Sequence, residues 1–204
     1  MIAIFYNLLA WAILPFMDTI AKYLSADLSF FQITWARYFF TVALTFPLML
    51  FFFRNNLKVT TEPKLQIFRG LLLFGANILF FYSISIISMA KALTLAFIAP
   101  LITTALSPIF LNEKVGLRRW SAVIIGFIGT LIVIRPGYIE LNLATFAALG
   151  TGFFYGIYII VTRKLHNSDS PLLTLLLTGV VGAILASFYV PFVWTPLTLN
   201  QWSL

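Results

Sequence analysis

The chain has 204 residues, of which 61% are hydrophobic and only 9% charged, with a net charge of +7. Soluble domains carry about 25% charged residues, so this chain lacks the polar surface that a water-facing fold needs. Its basic residues stand in short clusters between apolar runs, which is the patterning of membrane topology and argues against a nucleic-acid partner.

A helix that crosses about 30 Å of hydrocarbon needs about 20 mostly apolar residues. Seven stretches qualify, roughly 2–24, 30–53, 69–88, 91–111, 117–134, 143–162 and 171–193. Their apolar runs are continuous, whereas barrel strands alternate apolar and polar residues. The expected fold class is therefore all-α, a polytopic transmembrane helix bundle with the lipid bilayer as its first partner.

The first stretch lacks the positive start of a signal peptide and reads as a retained span. It carries Pro15, Asp18 and Lys22. Asp18 lies six residues from the outer end, hence about 9 Å deep at 1.5 Å per residue. Arg37 lies at a similar depth in the second span. A charge at the helix centre costs about 2.5–3.5 kcal/mol, and pairing or a wet cavity lowers that cost. Asp18 and Arg37 could meet across the first hairpin. Lys22 is a rival partner, four residues after Asp18 in the favoured order, and is also able to snorkel. Asp18 and Arg37 are thus either a structural ion pair or the groups that meet a polar substrate or a coupling proton.

The third span offers Asn77, Tyr82 and Ser85, and the sixth Tyr155 and Tyr158, for hydrogen bonds to a ligand or between helices. In the fourth, Pro100 lies mid-span beside Thr103 and Thr104. A proline there removes a backbone donor, and broken helices often line transporter sites, so Pro100 marks either a site-lining break or a plain structural kink. Pro15, Pro47 and Pro108 lie nearer helix ends and read as plain kinks. Small residues recur every fourth position as Ala148, Gly152 and Gly156, then as Gly179, Ala183 and Ser187. Such ridges admit another backbone, here most simply within the same chain. Glu113 reads as an interfacial charge beside Lys114 and Arg118.

Orientation follows from the basic residues. With a cytoplasmic N-terminus the inner segments hold Arg54, Lys58, Lys64, Arg69, Lys114, Arg118, Arg119, Arg163 and Lys164, against Lys22, Lys91 and Arg135 outside. Nine against three favours that orientation. Trp194 and Trp202 suit the outer interface.

No enzyme constellation is present. The sequence has no Cys, a single His166, no HExxH, no GxSxG and no phosphate-binding loop. Asp18 is the only acid well inside a span, which excludes a paired-aspartate protease. Neither a cofactor nor a metal is expected.

Several segments in order carry a resemblance: PFMDTIAKYL (15–24), WARYFF (35–40), RGLLLF (69–74), PLITTALSPIFLNE (100–113), RWSAVIIGFIG (119–129) and RPG (135–137). Together they resemble the EamA-like branch of the drug/metabolite transporter superfamily. From Lys22 to Gly129 the chain is most similar to its S-adenosylmethionine uptake transporters. The resemblance implies ten helices as two five-helix repeats of opposite orientation. A faint internal echo aligns residues 21–31 with 162–172, placing Lys22 on Arg163 and Leu24 on Leu165. Residues 1–137 would form the first repeat and 138–204 an incomplete second one, with about seven spans of ten, so that the chain reads as a C-terminally truncated piece.

The implied function is secondary active transport of small polar or amphipathic metabolites across the cytoplasmic (inner) membrane by alternating access. The implied translocation path involves Asp18, Arg37, Asn77, Tyr82, Pro100 and Thr103, with proton coupling as an option. A non-transporting membrane scaffold or an inactive transporter fragment is the alternative reading, and oligomeric state is left open.

Overall fold

A computed structural model describes residues 2–52, 60–134, 142–166, 168–198 and 201. The expectations placed on Arg54, Lys58, Arg135 and Trp202, and the 135–137 motif, fall outside the described residues. Among the described residues there are eight helices and no strand. They are α1 (Ile2–Leu24), α2 (Phe30–Phe52), α3 (Pro63–Ile86), α4 (Met89–Ala96), α5 (Ala99–Leu111), α6 (Leu117–Ile134), α7 (Leu143–Lys164) and α8 (Pro171–Val193). In lipid no water satisfies the backbone, so long apolar runs close their hydrogen bonds within the helix. Among the described residues five spans are long and apolar enough to cross a membrane, with α4 and α5 together making one of them. The fold is a helical membrane bundle.

Local chemistry sets the helix ends. Asn142 caps α7 by accepting the Thr145 N–H at 3.0 Å, and Ser170 caps α8 by accepting that of Leu173 at 3.2 Å, with Pro171 as its first helical residue. Such caps are worth about 1 kcal/mol each. Asn112 ends α5 in the left-handed region at φ 52°, a conformation Asn tolerates better than most residues.

Two boundaries differ from the sequence reading. The third span begins at Pro63 rather than 69, because Arg69 is a buried residue within the helix instead of a loop charge. The fourth span is two helices. Pro100 has no N–H to offer the Ala96 carbonyl, and the chain turns at Phe97 and Ile98 through short-range hydrogen bonds before α5 starts. By contrast α1, α2 and α5 run on through Pro15, Pro47 and Pro108.

Helices α2, α3, α7 and α8 form the centre, α4 and α5 pack on α7, and α6 packs on α4 and α5. Glycines set the closest approaches. A Cβ built on Gly152 would stand 2.6 Å from the Ala96 carbonyl oxygen, and one on Gly156 would stand 3.0 Å from that of Ala99. The small-residue row of α7 is thus an internal seat for the α4–α5 break. Gly182 of α8 likewise receives the Tyr38 ring, and Gly179 receives Val42. Large apolar side chains such as Leu44, Phe51, Ile125 and Phe192 point away from the protein, as lipid-facing residues do.

The loops gather at two ends. Thr60, Asp169, Glu113 and Arg163 share one end, whereas Lys22, Gln32, Ile84 and Thr195 share the other. The first end carries Lys64, Lys114, Arg118, Arg119, Arg163 and Lys164.

Candidate functional site

Polar side chains meet inside the bundle in two connected places. In the middle, Asn77 of α3 is buried and donates to the Tyr38 hydroxyl of α2 at 2.6 Å. Tyr38 packs its ring against Phe74 and fills the notch left by Gly182. Arg37, next in sequence, is half-buried and places its guanidinium 5.8 Å from the Phe81 ring centroid. Its side chain makes no hydrogen bond, and among the described residues no carboxylate lies within 4 Å of it. Tyr155 and Tyr158 of α7 stack with centroids 5.4 Å apart, and the charges of Arg37 and Arg69 both reach Tyr155 through space.

Nearer the basic end, Arg69 is 6% exposed and makes four side-chain hydrogen bonds. Its Nε donates to Thr162 Oγ1 at 2.8 Å, Nη1 to the Thr174 carbonyl at 3.1 Å and to Thr178 Oγ1, and Nη2 to the Tyr158 hydroxyl at 2.6 Å. The guanidinium also lies 4.6 Å from the Tyr158 ring centroid. Neutral oxygens and a ring face thus solvate this cation, and among the described residues no acid does. One turn before it, Gln66 donates to Asp169 at 2.7 Å and to Thr174 Oγ1 at 3.1 Å. Thr60 also donates to Asp169, as does the Thr61 N–H at 3.4 Å. Partial burial pushes the Asp169 carboxyl up, but these three donors outweigh it and hold it below the usual carboxylate range.

The other residues singled out from the sequence are placed as follows. Asp18 is half-buried on α1, where among the described residues its side chain has no hydrogen bond and no ion pair within 4 Å, although the Arg37 charge reaches it. Lys22 does not pair with Asp18. It donates to the Ile84 carbonyl and to that of Ile87 at 3.4 Å, capping the end of α3. Tyr82 is half-buried, edge-on to Phe30 at 5.4 Å. Thr103 is buried and donates to the Gly156 carbonyl at 3.1 Å, so it joins α5 to α7. Pro100 stands in the first turn of α5. Glu113 pairs with Arg119 at 3.4 Å and Arg163 at 3.7 Å, rather than with Lys114 or Arg118.

Sequence reasoning missed Arg69 as an interior group. One signal was present: Gln66 and Arg69 stand three residues apart, on one face of a helix.

Comparison with known proteins adds the lineage. Residues 1–135 match the EamA-like transporter family. The chain belongs to that family. It is 29% identical over 185 residues to an S-adenosylmethionine uptake transporter of Rickettsia bellii, covering 91% of this chain and 60% of that protein. It is 30% identical over 169 residues to a namesake in Rickettsia conorii, covering 83% of this chain and 57% of that protein. A riboflavin transporter of Vibrio cholerae is 38% identical over 81 residues, 40% of this chain and 27% of that protein. The chain therefore spans about 60% of the length of the S-adenosylmethionine transporters it matches. No solved structure matches. Transporter kinship agrees with the reading of this chain as something other than an enzyme.

Proposed function

We propose that this chain belongs to a secondary active transporter that moves small polar or amphipathic metabolites across the cytoplasmic membrane by alternating access. The N-terminus is cytoplasmic in this reading, which places the basic end of the bundle inside the cell. Two five-helix repeats, the first ending near residue 137, rock about a midplane site.

One observation carries the reading: Arg37, inside a spanning helix, has no carboxylate within 4 Å among the described residues, and Asp18 meets it only through space. A guanidinium at that depth with no carboxylate in contact favours an anionic group brought by the solute. S-adenosylmethionine, the solute named for the Rickettsia relatives, has the right chemistry. Its carboxylate suits Arg37, its cationic end suits Asp18, and its adenine suits an aromatic wall such as Tyr155 and Tyr158. Asn77 and Tyr82 offer hydrogen bonds or shape to the path. Pro100 and Thr103 set the broken segment that lines it. Asp18 is also the group through which a proton would couple.

Uptake of radiolabelled S-adenosylmethionine by cells expressing the encoding gene tests this. Asp18→Asn abolishes saturable uptake while membrane insertion stays normal. Normal transport by that variant removes Asp18 from the path, and no saturable uptake by the parent sinks the substrate assignment.

A further inference from the structure

Outside the polar layer, the basic end holds a cleft of about 340 Å³ between α5, α6 and α7, lined by Glu113, Arg119, Thr162, Arg163 and His166. Its charges are half-exposed and loosely paired. Glu113 stands 3.4 Å from Arg119 and 3.7 Å from Arg163, longer than a tight charge-assisted bond. A guanidinium carries five N–H donors. Among the described residues the Arg119 side chain donates once, to Glu113, and the Arg163 side chain makes no hydrogen bond. The cleft therefore has a surplus of forked donors suited to a phosphate, beside one carboxylate suited to an ammonium. It opens where α5 and α7 end and α6 begins, which in a membrane bundle is the lipid–water boundary. Beside it Ile109, Phe110 and Leu117 are 70%, 54% and 86% exposed. Basic pockets between helices at this level hold lipid head groups in other membrane proteins.

We infer that this cleft binds a phospholipid whose head group joins a phosphate to a primary ammonium, of the phosphatidylethanolamine type. Arg119 and Arg163 take the phosphate oxygens, Glu113 takes the ammonium, and the acyl chains run along Ile109, Phe110 and Leu117. The charge complementarity selects the lipid. A phosphatidylglycerol head group brings no ammonium, so Glu113 keeps only its long contacts to Arg119 and Arg163. A phosphatidylcholine head group carries a quaternary ammonium with no N–H to donate. The ethanolamine head group alone could also arrive on a water-soluble phosphodiester, but such a molecule leaves the three apolar side chains uncovered.

The test is native mass spectrometry of the delipidated chain, titrated with phosphatidylethanolamine, phosphatidylglycerol or phosphatidylcholine of identical acyl chains, and with soluble glycerophosphoethanolamine. The expected result is retention of phosphatidylethanolamine about tenfold over the other two, the worth of one charge-assisted hydrogen bond. Glu113→Gln abolishes that preference, and paired Arg119→Gln and Arg163→Gln substitutions lower retention of all three lipids. Helical content by circular dichroism confirms that each variant is folded. Equal retention of the three lipids by the unaltered chain overturns the inference without any variant. A preference that persists in Glu113→Gln overturns the role of Glu113. Binding of glycerophosphoethanolamine as tight as that of the lipid overturns the lipid as occupant.

Discussion

Replacing Gly152 by Ala tests whether α7 is the seat of the broken span. The added methyl would stand 2.4 Å from Ile98 Cγ2 and 2.6 Å from the Ala96 carbonyl oxygen. The Ile98 side chain can rotate away. The Ala96 carbonyl is backbone, so relief there requires α7 to move off the α4–α5 turn. Overpacking of this kind costs about 1–3 kcal/mol, and the severity of the clash with a main-chain oxygen places it toward the upper end. Helix propensity opposes the loss, because Ala is about 1 kcal/mol better than Gly inside a helix. The net expectation is a loss of about 1–2 kcal/mol, equivalent to about 2–8 °C in Tm for a chain of this size. Gly126 of α6 is the control, since nothing lies within 4 Å of a Cβ built there. Gly126→Ala keeps only the propensity gain, so its Tm matches or exceeds that of the parent. Both midpoints are read by thermal unfolding in one detergent. A Gly152→Ala protein as stable as Gly126→Ala refutes the seat.

Two further substitutions probe the basic end. Arg69→Lys replaces a fork by a point charge that cannot reach Thr162, Thr178 and Tyr158 together, so thermal stability falls by about 1–3 kcal/mol; an unchanged melting curve contradicts the arrangement. Asp169→Asn removes the charge that accepts hydrogen bonds from Thr60 and Gln66. Because the Asp169 pKa lies below its ordinary 3.8 in the folded chain, its stabilising effect is complete above that value and is lost as pH falls through the lowered one. The Tm gap between parent and variant is therefore constant near neutrality and closes only in strong acid; a gap that closes above pH 5 points to a different group.

The helices themselves were legible because lipid imposes a length and a composition on each span. The fourth span's break was only half legible: Pro100 removes a donor, but so do Pro15, Pro47 and Pro108, and their helices run on. Arg69 was not. A cation beside an apolar run reads as the edge of a span, and only the folded chain supplies acceptors 89 to 109 residues away, on α7 and α8, that let it go inside. The same holds for Arg37 and Asp18. Their depth was readable from position along the helix. The absence of a bond between them depends on how α1 lies against the rest, which no local pattern encodes. Lys22 spends its charge on two carbonyls of α3, and carbonyls are invisible in a list of side chains.

The meeting of α7 with the α4–α5 turn has a mechanical consequence. The backbones pass closely there, leaving no room for a Cβ between Gly152 and the Ala96 carbonyl, with the Ile98 side chain packed beside them. Any rigid-body swing between the proposed halves must leave this spot nearly still, as a fulcrum, and let the distances grow elsewhere. Spin labels on α4 and α7 would then keep their separation through a transport cycle, whereas labels farther from the fulcrum would not.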